Sequence, residues 1–237
     1  MEKEKKEEES KMQKFELTEE FKEFAGKKVF RIKALKDFGD VKAGELGGYV
    51  EKEENLSRNG DAWVFGNAWV FGDARVSGNA WVFGNVWVSG DACVSGDARV
   101  FGNAWVFGNA WVSGDACVSG DARVFGDACV SGDAWVFGNA WVFGDARVSG
   151  DAWVSDNASV SGDADYATIK GFGSEQRSTT FYRQKDGTIW VTCGRFCGTL
   201  EQFREKVRQK HGETKYAREY LALAEAMRIH FEEDEDD

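Results

Sequence analysis

A valine stands at every sixth position of the chain from Val64 to Val160. The repeating unit is V-[F/S]-G-[D/N]-A-x, and only Asp156, at a glycine position, and Val86, at an alanine position, depart from it. Within A-x-V-[F/S], the apolar Ala and Val alternate with more varied residues, a period of two that is typical of a β-strand. The Ala/Val side never carries a charge, so we expect it to form a dry core.

Each unit closes on Gly followed by Asp or Asn, residue types that tolerate the positive φ of a tight corner. A strand of about four residues and one corner then form one side of a triangular prism, and three units complete one coil. The 17 valines predict nearly six coils. With coils stacked ~4.8 Å apart, the rod is roughly 27 Å long. We assign the β-helix to 50–165, because Val50 and Leu56 already stand six residues apart.

The unit resembles the consensus of hexapeptide-repeat proteins, in which a small residue stands two places before an aliphatic one. That family forms left-handed parallel β-helices, so the resemblance implies a left-handed coil, an exception to the usual right-handed crossover. The flanking segments are DFGDVKAGELGGYVEKEENLS, IKGFGSEQRSTTFY and CGRFCGTLEQFREKV. They resemble uncharacterised hexapeptide proteins of bacteria and their phages. This second resemblance, from Lys14 to Phe231, implies a phage or prophage setting.

The chain before the coil divides into two segments. Residues 1–13 are a run of Lys and Glu with little to bury, which predicts a disordered charged tail. Residues 14–49 contain two β-rich runs, Phe15 to Phe24 and Val29 to Phe38, on either side of Ala25-Gly26. This pattern predicts a hairpin that caps the first coil, whose open strand edge needs covering.

The chain after the coil predicts a small α+β domain over 166–231, followed by an acidic tail at 232–237. An Asp-Gly turn between two β-rich runs predicts a hairpin over Ser178 to Thr192. The segments Thr199 to Lys210 and Glu213 to Phe231 have the periodicity of helices, and Thr199 with Gln202 resembles a capping box. The fold class is therefore mainly β, with a hairpin at one end and a small α+β domain at the other.

Composition limits the classes of function. The net charge of −11 argues against direct binding to nucleic acid or to an anionic membrane, and it permits a basic protein partner. Proline is absent, which suits a ladder that needs every backbone N–H group. The cysteine count of five is odd, and the N-terminus has no apolar signal segment, so we expect a reducing cytoplasm. No apolar stretch approaches ~18 residues, the length that a membrane-spanning helix needs.

Reading the coil three units at a time separates three outward faces. The Ser face carries Ser77, Ser95, Ser113, Ser131 and Ser149 beside Arg75, Cys93, Trp111, Cys129 and Arg147, and we expect it to be solvated. The Trp63 face includes Trp63, Trp81 and Trp135, and the Trp69 face includes Trp69, Trp87, Trp105 and Trp141.

Monomeric soluble proteins rarely expose so much aromatic area, so the aromatic faces predict packing on a second subunit or a partner. The candidate binding residues are Trp69, Trp87, Trp105, Trp141, Phe107 and Phe143. A second interpretation stays open, in which stacked rings only stabilise neighbouring coils. A competing period also bears on the choice, because an Arg recurs in every fourth unit, at Arg75, Arg99, Arg123 and Arg147. Successive copies of this four-unit segment fall on different faces of the coil. This favours a spacer or platform over a single continuous binding surface.

Enzymatic chemistry lacks its usual residues in the coil. Hexapeptide enzymes are mostly acyltransferases with a His base beside the coil, or carbonic anhydrases with three His on a metal. This chain has only His211 and His230, both in the predicted helices, so the proton acceptor is missing where that chemistry needs it. Cys193 and Cys197 with His211 form an atypical zinc spacing, and buried thiols are the simpler interpretation. We therefore predict no enzyme, no metal and no cofactor, with an acyltransferase as the alternative.

A loop after the coil offers another candidate site. Lys170, Gly171, Gly173, Ser174 and Arg177 supply backbone N–H groups, a hydroxyl and cations, which together can hold a phosphate. The loop precedes a strand and not a helix, so a flexible junction is the alternative.

The corner carboxylates suggest a further function. From Asp61 to Asp165 the chain has no Lys or Glu and only four Arg. Rows of Asp along a rod can mimic nucleic acid for a basic protein, although corner geometry alone also selects Asp and Asn. We predict a non-enzymatic binding or scaffold protein, active through protein–protein contacts as a dimer or trimer or on a basic host protein. An inhibitor that mimics nucleic acid and blocks a host defence nuclease is the alternative.

Overall fold

The computed structural model describes residues 13–232, and its central part is a parallel β-solenoid. Each strand pairs in parallel with the strand three units further along, as Val64 with Val82 and Val70 with Val88. Three sheets run along the rod and form the three predicted faces. The fold class is confirmed, with about six coils between a hairpin and a small helical domain. The left-handed sense of the coil stays a prediction.

The three sheets take their strands in turn. The Trp69 face contains β3 (Leu46–Val50), β5 (Trp69–Val70), β8 (Trp87–Val88), β11 (Trp105–Val106), β14 (Arg123–Val124), β17 (Trp141–Val142) and β20 (Ser159–Val160). The Trp63 face contains β4 (Trp63–Val64), β7 (Trp81–Gly84), β10 (Arg99–Gly102), β13 (Cys117–Val118), β16 (Trp135–Val136) and β19 (Trp153–Val154). The Ser face contains β6 (Arg75–Val76), β9 (Cys93–Val94), β12 (Trp111–Val112), β15 (Cys129–Val130) and β18 (Arg147–Val148).

Backbone hydrogen bonds join each coil to the next. The Trp63 N–H donates to the Ala80 carbonyl at 3.0 Å and the Phe65 N–H to the Val82 carbonyl at 2.8 Å. Corner residues do the same, as Asn79 donates to the Gly96 carbonyl at 2.8 Å. Most strands span two residues, which corrects the expected four. The chain already bends toward its corner on either side of the x-Val pair, yet its N–H groups remain bonded.

The Ala and Val side chains fill the inside of the rod. Every repeat Ala and Val from Ala62 to Val160 is 0% exposed, and so is Val86 in its alanine position. Corner glycines have positive φ, for example +69° at Gly96, and Asp156 adopts +57° where a glycine stands elsewhere. The dry core and the glycine corners predicted from the repeat are thus confirmed.

The N-terminal hairpin extends the Trp69 face beyond the first coil. Strands β1 (Phe15–Phe24) and β2 (Lys27–Ala34) pair antiparallel, and β2 pairs antiparallel with β3, which in turn pairs parallel with β5. The predicted hairpin is confirmed, with Ala25 and Gly26 both at positive φ in the turn. Its second strand ends at Ala34 and not at Phe38, which instead bridges Val41. A short 3-10 helix, Glu53–Asn55, precedes Leu56, which bridges Val76 in the first strand of the Ser face.

The first coil is closed by residues that precede it. Phe15 and Phe38 pack edge-on against Trp63, with ring centroids 6.2 and 5.2 Å away, and Trp63 is 0% exposed. Lys14 is buried beside them, and its Nζ donates to the Ala62 carbonyl at 2.6 Å. Burial lowers the pKa of Lys14 to about 8.

A four-stranded antiparallel sheet and two helices follow the coil. The strands are β21 (Tyr166–Ile169), β22 (Thr179–Arg183), β23 (Ile189–Cys193) and β24 (Phe196–Thr199), after a 3-10 helix at Asp163–Asp165. Helix α1 (Leu200–His211) begins with the predicted capping box of Thr199 and Gln202, and α2 (Lys215–His230) begins after Thr214. The hairpin of β22 and β23 and both helices are confirmed, whereas β21 and β24 were not predicted.

This sheet lies between the coil and the helices. Tyr182 joins the core of the coil, and its neighbour Phe181 packs against Phe203 of α1. Successive residues of one strand point to opposite sides, so one sheet closes the coil and supports the helices. The two charged tails predicted at 1–13 and 232–237 lie outside the described residues, except for Gln13 and Glu232. Within residues 13–232, no helix is long and apolar enough to cross a membrane.

The close stacking of coils predicts a difference between two glycines of the same prism edge. A Cβ at Gly96 would lie 2.9 Å from the backbone N and O of Gly114, whereas a Cβ at Gly150 would meet nothing within 4 Å. Both have positive φ, so alanine at either costs about 1–2 kcal/mol of strain. We expect Gly96→Ala to lower the free energy of unfolding by a further ~1–3 kcal/mol through overpacking. Urea denaturation measures both variants, and equal losses would contradict this packing.

The buried Lys14 predicts a specific pH dependence. Its folded pKa of about 8 lies below the ordinary 10.5, so between these pH values the unfolded chain binds the proton and the folded chain does not. The free energy of unfolding of the wild type should therefore rise with pH relative to that of Lys14→Met. Denaturation at pH 7.5 and at pH 10 provides the comparison. A constant difference between the two proteins would show that the pKa of Lys14 is not lowered.

Candidate functional site

The predicted binding residues of the Trp69 face form one continuous ladder of rings. Trp69, Trp87 and Trp105 stack on successive coils, with centroids 5.4 and 5.3 Å apart and planes within 8° of parallel. The register of their strands places these side chains directly above one another. Only Trp105 of the three is exposed, at 39%, because Phe24 of the N-terminal hairpin also contacts the Trp69 and Trp87 rings.

Arg123 continues the ladder in place of a ring. Its guanidinium carbon lies 5.0 Å from the Trp105 centroid and 5.1 Å from the Trp141 centroid. A guanidinium between two indole faces is a double cation–π contact. The four-unit period, which moves the repeat Arg from face to face, therefore places a cation inside the aromatic ladder.

A second ladder on the same face leaves a notch. Phe107, Phe125 and Phe143 stack with centroids 4.9 and 5.2 Å apart. Ser89 stands in this row between Phe71 and Phe107, so the row has a gap. A cavity of 290 Å³ opens there, lined by Phe24, Phe71, Trp87, Ser89, Trp105 and Phe107. The notch is large enough for an aromatic side chain.

Turns from both ends of the molecule cover the ends of the Trp69 face. Phe24 of the N-terminal hairpin contacts the Trp87 ring at 4.6 Å between centroids. Lys185, in the turn between β22 and β23, places its Nζ 4.1 Å from the Trp141 centroid. The candidate residues are thus brought together on one sheet, and the open part is central, around Trp105 and the notch.

The Trp63 face is buried at one end and open at the other. Trp63 is covered, whereas Trp135 and Trp153 stack at 5.4 Å and are 43% and 39% exposed. Phe83 and Phe101 stack between these ends at 4.9 Å. The rings of both aromatic faces therefore stack in ladders, and Trp105, Trp135 and Trp153 are exposed beside them.

The Ser face carries the most exposed tryptophan. Trp111 is 58% exposed and stands between Cys93 and Cys129 on neighbouring coils, so no ring stacks on it from that sheet. A groove of 730 Å³ opens at the N-terminal end of this face, beside Arg75 and Cys93. Burial raises the pKa of the Cys93 thiol. Trp111 is not among the candidate residues predicted from the sequence. The signal that identifies it is the small side chain three units before it, Cys93, and three units after it, Cys129.

The corner residues are not distributed evenly over the three edges. One edge, between the Trp63 and Trp69 faces, carries Asn67, Asn85, Asn103, Asp121, Asn139 and Asn157, and we call it the Asn edge. The other two border the Ser face. The first acidic edge carries Asp61, Asn79, Asp97, Asp115, Asp133 and Asp151, and the second carries Asp73, Asp91, Asn109, Asp127 and Asp145. The two aromatic faces therefore share the nearly uncharged edge, and the Ser face lies between two rows of carboxylates.

Side-chain hydrogen bonds run along these edges. On the Asn edge, Asn85 donates to Asn103 at 3.1 Å, and Asn103 donates to Asp121 at 3.0 Å. On the acidic edges, Asn79 donates to Asp97 at 2.9 Å and Asn109 to Asp127 at 2.8 Å. An amide in a row of carboxylates replaces one like-charge contact with a hydrogen bond.

The loop predicted to hold a phosphate is occupied by carboxylates of the chain itself. Lys170 pairs with Asp151, and this ion pair holds the pKa of Asp151 below its ordinary value. The Gly173 N–H donates to the Glu219 carboxylate at 2.9 Å, which lowers the pKa of Glu219. Arg177 pairs with Glu175. Gly171 and Ser174 are exposed. A phosphate here would have to displace these carboxylates.

The structure does not bring Cys193 and Cys197 together as a pair of zinc ligands. Cys197 pairs with Thr192 across the sheet, so it points to the opposite side from Cys193. Cys193 accepts a hydrogen bond from Thr179 at 3.2 Å, whereas the Cys197 thiol donates to Asp156 at 3.4 Å on the coil side. Within residues 13–232, no group of three or more His, Cys, Asp and Glu side chains is arranged to hold a metal ion.

Comparison with known proteins supports the repeat architecture. A family model of the YdcK β-solenoid repeat matches residues 74–90 and 98–114. The two matched segments begin four repeat units apart, in step with the period of the repeat Arg residues. No curated protein matches the chain. The match lies within the coil, so it indicates a repeat β-helix protein.

The cation–π ladder predicts unequal roles for two arginines of the four-unit series. Arg123 lies between two indole rings, whereas Arg99 is exposed, with Trp81 and Cys117 on its neighbouring strands. We expect Arg123→Gln to lower the free energy of unfolding by about 1 kcal/mol more than Arg99→Gln does. Chemical denaturation of the two variants measures the difference. If both cost the same, the ring contacts of Arg123 contribute nothing.

Proposed function

We propose that this protein is a non-enzymatic scaffold that associates with itself through its two aromatic faces and acts through protein–protein contacts. The observation that supports this proposal is that the two aromatic faces meet at the Asn edge, away from the carboxylate rows. A chain of net charge −11 repels its own copies, so a self-contact is favoured where charge is lowest. The Asn edge and its flanking faces meet that condition.

The exposed rings suit such a contact. Trp105, Trp135 and Trp153 each present 39–43% of their surface on the two aromatic faces. Interfaces are enriched in tryptophan, and such anchors carry much of the binding free energy. Two faces of a rod of roughly 27 Å, each about 20 Å wide, offer on the order of 1,000 Å². A standard interface needs about 800 Å² from each partner.

The notch beside Ser89 gives the contact a specific receptor. Its aromatic walls accept one ring, and a two-fold interface presents the same surface twice, so a ring from each copy can enter the other's notch. A dimer has this reciprocal arrangement, whereas in a trimer a ring of each copy would enter the notch of the next copy around the three-fold axis. A phage-related protein in the host cytoplasm is the setting that the flanking resemblance favours.

The acyltransferase alternative has little support. His211 ends α1 and His230 ends α2, so both histidines lie on the C-terminal helices beyond the sheet that closes the coil. Acyl-CoA turnover that disappears in His211→Ala or His230→Ala would restore it.

Adding charge to the Asn edge tests the self-association. Asn85→Asp with Asn139→Asp places two carboxylates between the aromatic faces and should convert the oligomer into a monomer, as measured by size-exclusion chromatography with light scattering. The matched control is Asn79→Asp with Asn109→Asp, which makes the same change on the acidic edges. We expect the control to keep the wild-type mass.

Two results would contradict the proposal. One is a wild-type protein that stays monomeric at every concentration, and the other is equal dissociation of both double variants. Circular dichroism shows whether each variant folds, and Asp already stands at many corners of this coil.

A further inference from the structure

We infer that the Ser face, with Trp111 between its two carboxylate rows, docks the cationic, nucleic-acid-binding surface of a partner protein. This interaction extends the scaffold role to a surface that the proposed self-association does not use. Each can therefore fail without the other.

The middle of the Ser face is a patch bordered by carboxylates that form no ion pair within residues 13–232. Three lie on each acidic edge, all exposed, and within residues 13–232 none forms an ion pair: Asp97, Asp115 and Asp133 on the first, and Asp91, Asp127 and Asp145 on the second. The cations lie toward the ends, where Lys52 pairs with Asp73, Lys170 pairs with Asp151 and also attracts Asp133, and Arg75 and Arg147 stand on the Ser face itself. The negative potential is thus concentrated over the central coils.

The backbone holds the two rows rigidly. The N–H groups of Asp91 and Asp97 donate to the Gly108 and Gly114 carbonyls at 2.9 Å, and that of Asp127 donates to Gly144 at 2.8 Å. The corner positions therefore repeat at the spacing of the coils, ~4.8 Å, and all but the one at Asn109 carry a carboxylate in this patch. A preorganised array loses little conformational entropy on binding, so its charge is fully available to a partner.

Trp111 supplies the aromatic centre of this patch. It is the most exposed tryptophan among the described residues, at 58%, and it projects from β12 between the small side chains of Cys93 and Cys129. An indole face attracts a guanidinium or ammonium group, and the attraction strengthens when water is excluded. An exposed aromatic anchor inside a charged rim has the composition of an interaction hot spot.

The geometry of the rows favours a folded, nucleic-acid-binding partner. The six residues of one side set the two rows at most about 20 Å apart. Asp97, Asp115 and Asp133 stand ~4.8 Å apart in the first row, whereas Asn109 interrupts the second row between Asp91 and Asp127. Duplex DNA presents two strands, each with a phosphate about every 3.4 Å along the axis. A protein whose Lys and Arg side chains straddle two phosphate rows finds two rows of anions here. A flexible basic tail needs only one row of anions.

A competition experiment tests the inference. The probe is a DNA-architectural protein of the HU type, which binds duplex DNA largely through its backbone, loaded with a fluorescent 30-base-pair duplex. We expect the wild-type chain to displace the duplex at low salt and to lose this ability as ionic strength rises. Asp97→Asn, Asp115→Asn and Asp127→Asn combined should weaken the competition at least tenfold, and Trp111→Ser several-fold.

The control removes the same charge elsewhere. Asp40→Asn, Glu205→Gln and Glu213→Gln combined change exposed acids away from the Ser face, with the same effect on net charge. We expect this variant to compete like the wild type. Failure of the wild type to displace the duplex, or equal weakening by both triple variants, would overturn the inference. Light scattering on the Ser-face variant should show the wild-type mass, which separates this result from self-association.

Discussion

The structure depends on the parallel ladder of backbone hydrogen bonds that joins each coil to the next. Three N–H groups in a typical unit, at the corner, at x and after Val, donate to carbonyls of the following coil. The ladder explains why proline, which removes a donor, is absent from the coil, and why glycine stands at most corners, where the backbone of the next coil lies about 3 Å from the position that a Cβ would take, as at Gly96. It also places identical positions of the repeat directly above one another, so any preference at one position becomes a row.

That stacking converts a simple repeat into a prism in which the two aromatic faces differ from the Ser face. Rings at x and after Val become ladders, and Asx corners become rows of amides or carboxylates. Because the acids are concentrated on the two edges that border the Ser face, the aromatic faces share a nearly neutral edge. The self-association that we propose uses the two aromatic faces, and the docking that we infer uses the Ser face. Copies four units apart rotate Arg through all three faces, and only Arg123 falls between two indoles.

Most of the fold follows from the sequence because its determinants are local and periodic: the core, the corners, both hairpins and both helices. The candidate site is less predictable, since its accessibility depends on contacts between distant segments. Nothing in the repeat indicates that Phe24 and Lys185 cover the ends of the Trp69 face. The partners of the phosphate loop, Asp151 and Glu219, are likewise distant along the chain. The uneven distribution of Asp among the three edges is visible in the sequence when every third unit is compared. A count of all Asp residues conceals it.

We propose that the position of the charges, and not their number, determines what each side of the rod binds. Exchanging Asp97, Asp115 and Asp133 for Asn while exchanging Asn85, Asn103 and Asn139 for Asp keeps the composition and net charge constant. Sedimentation velocity of this variant, with and without the HU-type probe, is the most direct measurement. We expect a monomer that no longer binds the probe. An oligomer that binds the probe as the wild type does would contradict it.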